Sequence, residues 1–202
     1  MARTSADAKP IYQLKVTLHG IRPPIWRRIQ VRAGITLPRL HDTIQAIMGW
    51  DDEHLHQFII GGEAYGLPDP DLGGDMRSER RVKLEQVVTT EKDRFVYEYD
   101  FGDSWTHVIL LEKIVPPEPG GYYPRCLAGK RACPPEDVGG IWGYAEFLDA
   151  IGDSNHPEHE EMLEWWGGDF DPEAFSLEEI NQALGGRRLP QQSRREFRWE
   201  FS

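Results

Sequence analysis

A period-two alternation of apolar and polar residues most constrains this chain, because it commits the N-terminal segment to a sheet with one buried face. Tyr12, Leu14, Val16 and Leu18 fall on one side, and Gln13, Lys15, Thr17 and His19 on the other. Gly20, Ile21, Arg22, Pro23 and Pro24 interrupt the pattern. It resumes with Ile25, Arg27, Ile29 and Val31 opposed to Trp26, Arg28, Gln30 and Arg32. The two segments are expected to pair as a hairpin or as adjacent strands. Arg27 and Arg28 then face opposite ways, and one of them is expected to pair with an acid from the C-terminal helices.

The spacing changes at Thr36. Leu37, Leu40, Ile44, Ile47 and Met48 recur at helical intervals, Pro38 is tolerated in the first turn, and Gly49 supplies a stop. Residues 54–60 return to strand with His54, His56, Phe58 and Ile60 on one face. A long loop rich in Gly, Asp and Pro (61–79) is expected to be a mobile insertion, and Val82 with Leu84 a short strand. Strands are predicted over 95–101 and 104–114, joined around Gly102 and Asp103. The Pro- and Gly-rich residues 116–140 are expected to hold little regular structure. Helices are predicted over 142–151, 157–166 and 176–184. Ser176 and Glu179 would form a capping box for the last helix, with Phe175 and Ile180 as a hydrophobic staple. Strands first and helices last imply an α+β fold, a largely antiparallel sheet with one early helix and a C-terminal set of helices packed on one face. The chain divides into a disordered lead (1–10), a single domain (11–184) and an arginine-rich tail (185–202).

Charge is segregated along the sequence. Between Ala132 and Gly186 there are fourteen acidic residues and no Lys or Arg, so the net charge of −11 belongs to this stretch alone. Such a surface repels duplex DNA, leaving nucleic acid an unlikely partner except through the tail, whose last sixteen residues carry five arginines. The acidic face is either solvated or suited to a basic protein or peptide. The N-terminus lacks the apolar segment of a secretory signal, and no run of about 18 apolar residues exists to span a membrane. Two cysteines, Cys126 and Cys133, are too few for a disulfide scaffold. A cytoplasmic protein without a membrane partner is expected.

One polar cluster carries chemical potential. A two- or four-residue turn at Gly102 and Asp103 sets Asp100 opposite Trp105 and Glu98 opposite His107. Glu98, Asp100, Asp103, Trp105 and His107 then form a candidate binding patch, to which Glu136 and Asp137 of the Pro-Pro-Glu-Asp turn are added. An acid across from a histidine can make it a general base or a metal ligand, or the two can be an ordinary ion pair. A three-residue turn would shift every partner by one and break the patch. His54 and His56 share a strand face and are candidate metal ligands. Cys126 and Cys133 are candidates too, although six intervening residues suit reduced, unligated thiols better. No nucleophile elbow, phosphate loop, dinucleotide fingerprint or HExxH occurs. No catalytic residue is assigned, and no cofactor is expected.

The segments YQLKVTLHGIRPPIWRRIQV, AIMGW, HLHQFII, YEYDFGDSWTH and ACPPEDVGG, in that order, resemble the plasmid pRiA4b ORF-3-like family, also described as MM3350-like, over residues 11–184. The resemblance implies an α+β fold and an association with plasmids or mobile elements, and it carries over no catalytic residues. Some members have a further cysteine where Val138 stands, which argues against a shared cysteine metal site here. The expected function is a non-enzymatic protein- or peptide-binding adaptor linked to mobile-element biology. The alternatives are a metal-assisted hydrolase using Glu98, Asp100 and His107, and nucleic-acid binding through the basic tail.

Overall fold

The structure, a computed structural model, describes residues 9–68 and 75–186. Most of the expected disordered lead and the arginine-rich tail from 187 onward lie outside the described residues. So do any contacts of that tail with nucleic acid.

Eight strands form one sheet. They are β1 (Ile11–Leu18), β2 (Trp26–Arg32), β3 (His56–Ile60), β4 (Glu63–Gly66), β5 (Arg77–Ser78), β6 (Arg94–Tyr99), β7 (Trp105–Val115) and β8 (Arg125–Lys130). Their spatial order is β5-β4-β3-β6-β7-β1-β2-β8, and every pairing is antiparallel except β4 with β5. The alternation read from sequence sets the faces of β1 and β2. Leu14 lies opposite Ile29 and Tyr12 opposite Val31 on the buried side. Gln13, Lys15 and Arg28 lie on the other, where Arg28 makes a two-pronged ion pair with Glu112 at 2.6 and 2.8 Å. The acid that Arg28 finds is therefore on β7, across the intervening β1, and not on the C-terminal helices.

The helices α1 (Leu37–Met48), α2 (Leu84–Val87), α3 (Gly140–Gly152), α4 (His159–Trp166) and α5 (Leu177–Leu184) complete the fold. Leu37, Leu40, Ile44 and Ile47 of α1 join the buried face of the sheet in one core, to which α3 adds Tyr144 and Phe147 and α5 adds Ile180. At roughly 1.5–3 kcal/mol for each large apolar side chain removed from water, this interface dominates stability. Gly49 ends α1 in the left-handed conformation at φ 78°, with its N–H on Gln45 O, as a helix stop requires. The fold is α+β, as its element order predicts.

Several local expectations are revised. Residues 61–79 contain β4 and β5, because a hairpin with β3 satisfies the backbone there. Leu84 begins a single helical turn and not a strand. Residues 125–130, within the supposedly irregular segment, supply the edge strand β8. Asn181 of α5 bonds both backbone groups of Cys126 on that edge, accepting from its N–H at 2.8 Å and donating to its carbonyl at 3.1 Å. Ser176 accepts from the Glu179 N–H at 3.2 Å, one half of the expected capping box.

Arg27 is the one polar residue of β2 whose alternation points it into the core. It is buried and donates to the carbonyls of Ile47 at 3.2 Å, Trp26 at 2.9 Å, Lys130 at 3.0 Å and Arg131 at 2.8 Å, and to Cys133 Sγ at 3.1 Å. Its guanidinium also lies 5.1 Å from the centre of the Phe175 ring. It thereby ties β2, α1 and β8 to the loop before α5.

Candidate functional site

The β6–β7 connection decides what the candidate patch becomes. Tyr99 pairs with Trp105, Glu98 with Thr106 and Tyr97 with His107, one residue out of the expected register. The loop is Asp100 to Ser104, closed by the Ser104 N–H on Asp100 O at 2.6 Å and by the Gly102 N–H on Asp100 Oδ1 at 2.9 Å. Asp100 and Ser104 both adopt left-handed backbone, at φ 57° and 54°. That curvature lets an odd number of residues close the turn, so the side chains exchange faces relative to an even loop. Trp105 and His107 consequently sit in the core, while Glu98 lies on the opposite face and accepts from Gln57 Nε2 at 2.7 Å. The expected Glu98–His107 pair does not form.

Three loops meet at this end of the sheet. They are 50–55 after α1, the β6–β7 turn, and 134–140 before α3. Tyr99 joins them from below. Its hydroxyl donates to Glu136 and accepts from the Glu53 N–H at 2.9 Å, while Trp50 stacks on its ring with centres 5.2 Å apart. Burial, then the Glu136 hydrogen bond and charge, push the Tyr99 pKa far up, so the phenol stays protonated. Glu136 also accepts from the Asp51 N–H at 2.8 Å, and Trp50 Nε1 donates to Pro134 O at 3.0 Å. A buried acid and a buried aromatic pair thus fix the 134–140 loop to the end of α1.

The mouth of this junction holds His54, Asp100 and Asp137, whose ligand atoms all lie within 4.8 Å of one another. His54 Nε2 is 2.6 Å from Asp137 Oδ1 and 3.8 Å from Asp100 Oδ2. Burial works to lower the His54 pKa, but the Asp137 hydrogen bond and the charges of Asp100, Asp137 and Glu136 outweigh it and raise the value. Asp137 is left-handed too, at φ 63°. Left-handed backbone costs a non-glycine residue about 1–3 kcal/mol, and such positions gather where a site over-determines them.

Gly139 and Gly140 bring the turn and the 134–140 loop together. Asp103 Oδ2 accepts from the Gly139 N–H at 3.1 Å. Gly140 has φ 68°, and a Cβ on it would lie 2.6 Å from Asp103 O. Gly140→Ala is therefore expected to lower unfolding free energy by about 2 kcal/mol, measured from urea midpoints, through backbone strain and loss of this close approach.

Behind the mouth lies a second, buried cluster that sequence reading missed. His41 and His56 stack with ring centres 3.6 Å apart. Tyr97 OH accepts from Gln45 Nε2 at 2.8 Å, so its own proton goes to His41 Nδ1, also at 2.8 Å. The other His41 nitrogen then donates to Asp52 at 2.7 Å, while His56 Nε2 lies 3.1 Å from buried Glu79. Burial, then the neighbouring His56 charge, lower the His41 pKa, favouring the neutral ring. His41, Asp52 and His56 also have ligand atoms close enough to hold a metal. The detectable signal was the crowding of Asp51, Asp52, Glu53, His54 and His56 just after a helix stop.

Of the candidate residues, Asp100, Asp103, Glu136 and Asp137 converge with His54. Trp105 and His107 lie beneath them, Trp50 packing between at 5.7 and 5.4 Å, and Glu98 lies elsewhere. His54 and His56 diverge to separate clusters. Cys133 Sγ contacts Met48 Sδ and Arg27, and Cys126 Sγ donates to Ala128 O, so neither thiol joins a metal-type cluster among the described residues. Burial raises both thiol pKa values.

The family described as plasmid pRiA4b ORF-3-like protein matches residues 10–179. The chain belongs to the plasmid pRiA4b ORF-3-like family. The chain is similar to the uncharacterized protein y4hQ of Sinorhizobium fredii (strain NBRC 101917 / NGR234), 43% identical over 176 residues, or 86% of this chain and 90% of that one. The crystal structure of MM3350, a protein of unknown function from Methanosarcina mazei Go1, is 44% identical with a TM-score of 0.77. That match covers 84% of this chain and 97% of MM3350. No helix among the described residues is long and apolar enough to cross a membrane.

Proposed function

We propose that this member of the pRiA4b ORF-3-like family is a metal-assisted hydrolase whose divalent ion is held by His54, Asp100 and Asp137. The observation that supports the reading is the approach of three ligand atoms within 4.8 Å at a partly open mouth, two of them on strained aspartates. One imidazole and two carboxylates suit Zn²⁺ or Mn²⁺ and leave coordination positions for water. Held by these three residues, such an ion would supply Lewis-acid activation of water for hydrolysis of a carbonyl or phosphoryl ester or amide. Tyr99 and Glu136 serve this arrangement by holding loops 50–55 and 134–140 at a fixed separation.

The test is calorimetric titration of the full chain, freed of metal, with Zn²⁺ and with Mn²⁺. Binding of one ion is expected, with affinity falling roughly 100-fold in His54→Ala and in Asp100→Asn. A rise in melting temperature should accompany saturation in the parent protein and be absent from both variants. No binding by the parent protein, or binding untouched by both substitutions, would overturn the proposal.

A second reading, a binding module for a basic protein or peptide, is supported by a separate observation. The helices and loops of 132–186 carry fourteen acids with no Lys or Arg among them, and Asp137 belongs to that surface.

A further inference from the structure

Beside Asp137 a cavity of about 160 Å³ opens between α3 and α4. Val138, Phe147, Met162 and Trp165 supply its apolar wall, and Asp137, Glu146, Glu158 and Glu161 its carboxylates. Among the described residues no Lys or Arg lines it, and no ion pair engages Glu146, Glu158 or Glu161. Phe147 is buried, and Met162 and Trp165 are half-buried, so the apolar wall is set into the helix pair. Phe147 and Trp165 meet edge to face at 5.8 Å, which fixes both rings.

This combination has one well-matched occupant. An apolar trough with an acidic rim favours a group with a long aliphatic stem and a cationic head, since the stem displaces water from the wall while the head stays among carboxylates. The indole of Trp165 adds a face that attracts cations. The cavity accommodates one such side chain, and its acidic rim would repel the phosphates of a nucleotide. Asp137 is common to the cavity and to the proposed metal triad, so a side chain seated here would present its backbone near the ion.

We infer that the cavity between α3 and α4 receives an arginine or lysine side chain of a basic peptide and selects the substrate of the neighbouring His54, Asp100 and Asp137 site. The inference extends the metal-assisted reading to a substrate class, yet its binding step requires no metal.

The experiment is fluorescence titration of the full chain, in chelator, with Nα-acetyl-arginine amide and Nα-acetyl-lysine amide, using Nα-acetyl-citrulline amide as the uncharged counterpart. Saturable binding of at least one cationic probe is expected, roughly tenfold tighter than citrulline, and roughly tenfold weaker in Glu146→Gln/Glu161→Gln. That double variant should still take up Zn²⁺ or Mn²⁺. His54→Ala should lose the metal and keep the probe, so failure of the metal reading and failure of the cavity reading are told apart. Equal affinity for citrulline, no saturable binding of either cation, or binding unchanged by the double substitution would overturn the inference.

Discussion

Arg27→Ala is expected to destabilise the protein by about 4 kcal/mol, the cost of leaving several buried carbonyls without a donor. Among the described residues Arg27 has no carboxylate partner. Its charge is met by the carbonyls of Trp26, Ile47, Lys130 and Arg131, of which Ile47 lies in the last turn of α1, where the helix dipole is negative. Removing the guanidinium strands these acceptors and opens space beside Phe175 and Cys133. Arg27→Lys should recover about half of the loss, because an ammonium keeps the charge but not the planar fork. Urea denaturation of the three proteins measures this directly. A loss below about 1 kcal/mol in Arg27→Ala would mean that water satisfies the carbonyls and that Arg27 is no structural pin.

Acid should destabilise the fold through His107. Its ring is buried, with Nδ1 on Trp105 O at 3.1 Å and no partner for Nε2 among the described residues. Burial, opposed by backbone hydrogen bonds, pulls its pKa from 6.5 down to about 4. The folded state therefore binds fewer protons than the unfolded chain between these values. Stability from this group is intact above pH 6.5 and declines as pH falls toward 4, by about 1.4 kcal/mol per unit and about 3 kcal/mol in all. His41, lowered by burial and by His56, declines in the same direction. The comparison is thus wild type against His107→Leu, with urea midpoints taken at pH 5 and pH 7. The variant should lose about one proton's worth of slope. An unchanged slope would assign the acid sensitivity to other groups.

The parts of the fold legible in sequence were those whose burial is periodic. β1 and β2 bury one face only, so Tyr12 to Leu18 and Ile25 to Val31 announced themselves, and α1 did so through Leu37, Leu40 and Ile44. β8 did not, because Arg125 to Lys130 carries Ala128 and Gly129 where an apolar signal would stand. Gly129 is needed there: a Cβ on it would meet Phe175 at 2.3 Å. The site was half legible for a related reason. Asp100, Asp103, Glu136 and Asp137 stood out as loop acids, but their convergence with His54 depends on left-handed Asp100 and Ser104, which no propensity of those residues dictates. His41 was hidden altogether, since a buried histidine on an apolar helix face breaks no pattern. Only tertiary contacts with Tyr97 and Asp52 reveal what it does.

Asn181 bears on how the molecule behaves in a crowded solution. A strand at the rim of a sheet offers open amides and carbonyls to any passing chain, and fibrils grow by that route. On β8 the Asn181 carboxamide occupies both backbone groups of Cys126, standing in for the strand that would otherwise attach. A side chain on α5 thereby covers the rim at Cys126, so that docking of this helix and closure of that part of the edge become one event.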